Sequence, residues 1–555
     1  MRAKTGIALL AAAATLAAAL GRRAATPPAP GSTPADPAHV RGALHVHTGA
    51  SHDGRGDLDS VARAAARARL GFVVVTDHNS EASLGIDGYR HGVLLLGGLE
   101  KSTDAGHALA LGLTSLPFRL DGDPAAVVRD VTDLGGFVVV SHPASERPEG
   151  AWSGDLEGVA GVEILNLAQP DSWPRGFGLI APVLRYLVDP QGALLRAFRA
   201  PRAALATWDQ ALRRRPLAGL LGSDAHGGLP SHEAIFRFAS QHLLLAEPLS
   251  GDADRDRRLV LDAVRAGRGW LALDSAADAS RFVFEARAGG RRAGPGEPLA
   301  LAGPAELRAE AQAPGGTQFV LLRDGAPVQR GARIVHATSQ AGSYRVEAYL
   351  DPARAAGAPK PWILSGAIDL YPAAELAARR ERAGRLPPLD SPALEPAERL
   401  DDFAGPELAP RWQIDRSPDA GATAALDGGA LRFDFRLGSR QATHASLCDW
   451  ERRDLSARSG LVFGVRADRR FRFDVQLRVE DKAAPGGVRL WRRSVRAEPE
   501  ARAVAIRFAD LKSYDRAAGR LDLARVRGIY FHVDEAHLPP GSAGTLWLED
   551  VWLAR

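Results

Sequence analysis

The sequence predicts a multidomain chain in which an α/β barrel is followed by two β-sandwiches. Three observations predict it. Short apolar runs alternate with helical stretches through the first half, and beyond residue 280 the pattern changes to polar–apolar alternation between Gly/Pro turns. Of the 15 His, 11 fall between His39 and His242. A length of 555 residues corresponds to three or four domains at about 150 residues each. Hydrophobic residues at 45% and charged residues at 25% give an ordinary globular balance, which excludes wholesale disorder and a collagen-like fibre. With 70 basic against 66 acidic residues the charge is too even for nucleic-acid binding. The one Cys, Cys448, excludes a disulfide framework, a thiolate zinc site and a cysteine redox pair. Any metal must be held by His and carboxylates.

Arg2 and Lys4 precede an apolar run at 7–20, so 1–25 reads as a secretory signal peptide, with an uncleaved anchor as the other reading. The Pro-rich stretch 26–40 is then a linker, and the expected location is periplasmic or secreted. No later segment approaches the ~20 apolar residues of a membrane span. The barrel is expected at 41–277. Runs at 72–76, 93–99, 137–141, 162–165 and 217–221 read as buried parallel strands because both faces are apolar. Stretches 58–70 and 124–134 read as helices, with Asp57 and Asp123 at their N-cap positions. Strands alternating with helices close most economically as a barrel. A small antiparallel sandwich is expected at 280–372, a helical or loose linker at 373–399, and a larger sandwich at 400–555.

The chemistry gathers at the predicted strand ends. His45-Val46-His47 closes the first strand, and residues at i and i+2 share a strand face. Ser51-His52-Asp53-Gly54 follows on the next loop. Thr76-Asp77-His78-Asn79 ends the second strand, Glu100 stands near the end of the third, and His107 comes soon after. Ser141-His142-Pro143 and Gly222-Ser223-Asp224-Ala225-His226 end two more. In a parallel barrel all strand C-termini open on one face, so seven segments deliver nitrogen and oxygen ligands to one mouth.

The runs LHVHTGASHDG, VTDHN, GLE, GHALALGL, VSHP, VEILN and GSDAHGG resemble the PHP (polymerase and histidinol phosphatase) family, most of all its exported carbaryl-hydrolase type (CehA/McbA-like). The resemblance covers about residues 40–275. It implies a distorted (βα)7 barrel with two or three divalent ions, Zn, Mn or Fe. It also implies hydrolysis of phosphoesters, with carbamate or aryl-ester cleavage in a few members. Carried over, the first metal pair takes His45, His47, Glu100, His142 and Asp224. A third metal takes His52 or Asp53 with His78, His107 and His226. The family commonly reads Ser-Asp-Gly where this chain reads Ser-His-Asp-Gly, and His52 is narrowly favoured over Asp53. Asp77 is read as a partner behind the ligands that orients an imidazole or its own turn. The other barrel-region histidines, His39, His91, His232 and His242, match nothing and are taken as surface or structural. Residues 280–372 resemble the Ig-like module appended to such hydrolases, and 400–555 resemble galactose-binding-type jelly rolls.

Two adjacent ions would bridge a hydroxide that attacks phosphorus in line, because coordination lowers the pKa of water. His107 or His226 is the candidate acid for the leaving oxygen. Arg147 and Arg175 are candidates to clamp a phosphate, against the plainer reading of solvated loop arginines. Glu163 and Asn166 are candidates for contact with substrate or ligands, against simple capping. The expected substrate is a small phosphoester, or a carbamate or aryl ester on the same metals. An amidohydrolase barrel would need a bridging lysine, and Lys101 is poorly placed for it. A non-catalytic envelope protein that binds carbohydrate through Trp450, Trp491 and Trp547 is the remaining alternative.

Overall fold

The first strand, β1 (His39–Val46), is the keystone of the fold. The computed structural model describes residues 36–147, 149–168, 183, 185–351, 360–513 and 519–555. The expected signal peptide, most of its linker and Arg175 lie outside them. Along the chain follow α1 (Leu58–Arg67), β2 (Phe72–Val75), β3 (Gly88–Arg90), β4 (Val93–Thr103), β5 (Gly106–Leu111), α2 (Pro124–Asp133), β6 (Phe137–Val140) and β7 (Gly161–Asn166). Next come α3 (Pro190–Ala197), α4 (Arg202–Leu212), β8 (Ala218–Ala225), α5 (His232–Phe238), β9 (Ser240–Leu244), α6 (Ala253–Ala266) and β10 (Gly269–Ala272). The order β1-β2-β4-β5-β6-β7-β8 closes on itself because the second half of β1 also pairs with β8. The result is a seven-stranded barrel. β2 and β6 are buried throughout, as runs apolar on both faces require. Asp57 caps α1 by accepting from Ser60 N–H at 2.8 Å, and Asp123 accepts from Ala125 N–H at 2.8 Å at the start of α2.

One expectation fails inside the barrel. β5 is antiparallel to both neighbours, forming a hairpin with β4 across Asp104-Ala105. Gly106, at φ +113°, makes that tight return. Because β5 runs backwards, its first residues lie where the parallel strands end, and His107 is delivered to the same mouth.

The chain divides into two compact units, Met1–Ser115 with Val131–Leu386, and Leu116–Asp130 with Pro387–Arg555. This differs from the expected domains in three ways. First, the sheet does not stop near residue 277: β1 pairs with β9, β9 with β10, and β10 with Pro361–Ser365. Trp270 and Ala272 accordingly share a core with Phe284, Leu307, Phe319 and Trp362. Second, the expected helical or loose linker is helical over α7 (Ala373–Gly384), as one of its two readings has it, but this helix is docked and not a free tether. Its buried Arg379 donates to the Leu212 carbonyl at 2.6 Å and covers the Tyr371 ring at 4.2 Å. Third, residues 116–130 belong to the second unit. Asp130 there accepts from Arg472 at 2.5 and 2.9 Å and from Arg496 at 3.2 Å, all three buried.

The second unit is built on two six-stranded sheets whose strand pairs are antiparallel. Phe463 of one sheet meets Phe531 of the other edge to face at 5.3 Å, as inner faces of a sandwich do. No helix among the described residues is long and apolar enough to cross a membrane.

Candidate metal centre

Glu100, in β4, is fully buried and collects five imidazoles. Its Oε2 lies 3.0 Å from His45 Nε2, 3.4 Å from His47 Nε2 and 3.1 Å from His78 Nδ1. Its Oε1 lies 3.2 Å from His107 Nδ1 and 3.2 Å from His142 Nε2. On the other side, Asp224 Oδ1 is 3.5 Å from His45 Nε2 and 3.3 Å from His47 Nε2. Asp53 Oδ2 lies 3.1 Å from His226 Nε2 and 3.5 Å from His78 Nε2.

The strand ends are bent to make this possible. His45, His142 and Asp224 have φ of +60°, +30° and +47°, and Asn79 beside His78 has +47°. Non-glycine residues hold such angles only where the surroundings impose them, and four of the ten found among the described residues stand at this site. β1 shifts register against β2 and β8 at this point, so convergence of His45 and His47 comes from a bulge and not from plain strand alternation.

Three groups of side chains have ligand atoms within 4.8 Å of one another: His45, His47 and Asp224; His47, Asp53, His78 and His226; His78, Glu100 and His107. Their chemistry fits divalent metal. Ligand atoms at about 2.0–2.1 Å in a tetrahedron lie roughly 3.3 Å apart, and the contacts above span that value. Five buried atoms, His45 Nε2, both His47 ring nitrogens, His78 Nδ1 and Glu100 Oε2, have no hydrogen-bond partner. Buried polar groups are normally satisfied, so five orphans in one place ask for a cation. The partition differs from the sequence expectation: His107 and Glu100 group with His78, His47 also joins Asp53, His78 and His226, and His142 falls in none of the three groups.

Buried carboxylates dominate the electrostatics of the cluster. Burial opposes charge on His45, but Glu100, Glu163 and Asp224 outweigh it and hold its pKa well above the ordinary imidazole value. Burial likewise works against ionised Glu100 and Asp224, yet His45 beside both holds their carboxyls well below the usual range. Burial pushes His78 down to about 4, which keeps it a neutral donor.

Several expected roles need correction. Asp53 enters the site, held by Ser51 Oγ at 2.7 Å, whereas the His52 side chain is 75% exposed. His52 thus faces solvent, and of the two adjacent residues it is the Asp53 carboxylate that joins the cluster. Asp77 contacts Thr48, accepting from its N–H at 2.6 Å and hydroxyl at 2.8 Å, and accepts from Ser83 at 2.5 Å. It therefore braces the loop after β1 from behind the cluster, and none of these hydrogen bonds goes to an imidazole. Glu163 is buried with no surface for substrate. Its Oε1 takes His45 Nδ1 at 2.7 Å, and its Oε2 accepts from His142 N–H and Asn166 Nδ2 at 2.8 Å each. Asn166 is buried beside it and accepts from Ala168 N–H. Arg147 is exposed.

His232, taken as surface or structural, is structural: it is buried with Nε2 at 3.0 Å from the His47 carbonyl and 3.2 Å from that of Ala225. It pins together two ligand-bearing strand ends. Gly222 is required by close approach, since a Cβ there would sit 2.3 Å from Glu163 Oε1. A fourth His/Asp group, Asp121, Asp474 and His537, lies in the second unit. Arg472 and Arg492 balance its carboxylates. Of the three tryptophans proposed to stack on sugar, Trp491 is buried and the Trp547 ring is covered by Arg466 at 4.0 Å. Trp450 is 46% exposed.

No family model and no curated protein matches the chain. Among solved structures, a family 11 carbohydrate-binding module from Clostridium thermocellum is similar at 13% identity and a TM-score of 0.24. That match covers 29% of this chain and 97% of that one. The agarase AgWH50C is similar at 15% identity and a TM-score of 0.22, covering 28% and 26%. A family 30 carbohydrate-binding module is similar at 13% identity and a TM-score of 0.20, covering 30% and 85%. At these values nothing about ligand or activity passes to this chain.

Proposed function

We propose that this chain is an exported, metal-dependent hydrolase of the PHP type, that its barrel is the distorted (βα)7 barrel of that family, and that it cleaves a phosphoester. The observation that carries the reading is the convergence of five imidazoles on buried Glu100, flanked by Asp53 and Asp224, with five ligand atoms left without partners. His45, His47, His142, Glu100 and Asp224 would hold one pair of ions, and His78, Asp53 and His226 a third. When bound, two or three divalent ions supply charge neutralisation and an activated water at neutral pH.

The chain's own residues set the stage for that chemistry. Glu163 accepts His45 Nδ1–H, and the Gly150 carbonyl accepts His142 Nδ1–H at 3.1 Å, so both rings offer Nε2 to the centre. The Asp224 carbonyl does the same for His226 at 2.8 Å. His226 Nε2, partly exposed, lies 3.1 Å from Asp53 Oδ2 and completes that third group of ligands.

The test is metal content of purified protein together with turnover of bis-p-nitrophenyl phosphate, p-nitrophenyl phosphate and an aryl carbamate, repeated with His45→Ala and Asp224→Ala. Two or three equivalents of metal, with phosphoester turnover lost in both variants, is expected. Carbamate or ester turnover alone would move the activity to that bond. Less than one equivalent and no turnover would leave a binding protein, for which exposed Trp450 is the place to seek carbohydrate.

A further inference from the structure

The sandwich strands of the first unit turn a charged face toward α4. Strands Gln318–Arg323 and Gly342–Tyr349 pair with Val320 opposite Glu347, Gln318 opposite Tyr349 and Leu322 opposite Arg345. The alternate positions, Phe319, Leu321, Val346 and Ala348, fill the core, so those three pairs share the other face. Beyond Val320, on strand Ala326–Gly331, Arg330 stands opposite it. Between this face and α4 lies a cavity of about 560 Å³, within the range of about 300–1,000 Å³ for small-molecule sites.

The floor of this cavity is ionic and fixed. Arg345 donates to both carboxylate oxygens of Asp209 on α4, at 2.7 and 2.8 Å, and to Glu347 Oε1 at 2.6 Å. Tyr349 donates its hydroxyl to Glu347 Oε2 at 2.5 Å. Asp209, Arg345 and Glu347 are all buried. Buried ion pairs add little stability over apolar packing, so their place on a cavity wall asks for another reason. Each Glu347 oxygen receives one of these bonds, and an ionised carboxylate has about four acceptor sites, so the floor still takes donors. At the exposed edge stand Arg202, the first residue of α4, and Arg330. Leu205, Val320, Leu322 and Leu350 give the cavity apolar wall. Arg330 and Glu347 are two strand spacings apart, about 9–10 Å at the backbone. An extended residue advances about 3.5 Å, so two or three residues of peptide span that interval.

We propose that this cavity binds a di- or tripeptide with apolar side chains, its ammonium on the Glu347 floor and its carboxylate at Arg202 and Arg330. An ammonium donates to a carboxylate and matches its charge, and a terminal carboxylate accepts from the guanidiniums in the same way. Apolar side chains against Leu205, Val320, Leu322 and Leu350 lose only their own unfavourable hydration. The site shares no residue with the metal centre, so it goes beyond the hydrolase reading and does not depend on it.

Isothermal titration of metal-loaded protein compares Leu-Leu with leucine, with N-acetyl-Leu-Leu, which has no ammonium, and with Leu-Leu amide, which has no carboxylate. Leu-Leu is expected to bind at least about tenfold tighter than each of the three. Glu347→Gln should abolish the preference over the acetylated peptide, and Arg202→Ala combined with Arg330→Ala the preference over the amide. The paired arginine variant changes exposed side chains alone, so it tests the site even where Glu347→Gln fails to fold, and melting temperature reports folding. No binding of Leu-Leu, equal affinity for leucine or a blocked peptide, or either preference surviving in its folded variant would overturn the proposal. Peptides also chelate metal, so Asp224→Ala is titrated in parallel. Unchanged Leu-Leu affinity is expected there, whatever becomes of phosphoester turnover. Loss of binding in that variant would move the peptide to the metal centre and overturn the assignment to this cavity.

Discussion

A carboxylate behind an imidazole decides which ring nitrogen is left free to take a metal, and Glu163, 2.7 Å from His45 Nδ1, leaves Nε2. Glu163→Gln keeps the volume but removes the charge that fixes the tautomer. Metal affinity should fall about 10- to 100-fold, read by competition with a chelating dye. Gly222→Ala should do the same by displacing the carboxylate, since its Cβ would stand 2.3 Å from Oε1. The ligand types were legible in the sequence because His, Asp and Glu at strand ends have few other reasons to cluster. Glu163 was legible only as a residue at the rim, since nothing in Val-Glu-Ile-Leu-Asn tells whether a carboxylate faces a substrate or a neighbouring ring. The choice between His52 and Asp53 was equally open. Adjacent residues on a loop differ in direction, and direction is a property of the folded backbone.

At the level of elements, the apolar runs reported strands wherever both faces were buried, as in β2 and β6. β5 escaped notice because Gly-His-Ala-Leu-Ala-Leu is short and its reversal depends on a two-residue turn. The segment 116–130 also escaped, since its place is settled by partners more than 300 positions away in the chain. Asp130 anchors it by receiving two bonds from Arg472, whose side chain is 2% exposed, and one from Arg496. Removing one member of a buried pair strands the other charge, so Arg472→Met should destabilise the second unit by about 3–5 kcal/mol. Denaturant melting followed by tryptophan fluorescence checks this, and Arg287→Met, at an exposed pair in the first unit, should cost under about 1 kcal/mol.

For the whole molecule, the two compact units invite separate transitions on heating. Ions bound only by the folded first unit would stabilise it by mass action, about 2.7 kcal/mol when free metal is a hundredfold above Kd. Chelation should therefore lower the melting of that unit and leave the other unmoved, which calorimetry resolves. The second unit should respond to pH instead. Burial opposes charge on His537, but Asp474 and Asp534 outweigh it and lift its pKa to about 10. An imidazole with a raised folded pKa contributes fully below its unfolded value of about 6.5, and the contribution is lost as pH rises through the folded value. The melting temperature of the second unit should fall between pH 7 and pH 10.5, and fall less in His537→Asn.

By itself the sequence determined the chemistry available to this protein: imidazoles and carboxylates able to hold metal, one thiol, a near-even balance of basic and acidic residues, and a change from βα alternation to sandwich strands. Residue type and period carry that information locally. Only the tertiary structure decided which atoms meet. It bent β1, β6 and β8 at or beyond their ends so that His45, His142 and Asp224 converge, and set Glu163 behind the ligands. It carried the barrel sheet on through β9 and β10, and placed residues 116–130 in the second unit. Those outcomes depend on contacts between residues far apart in the chain, and no local pattern encodes them.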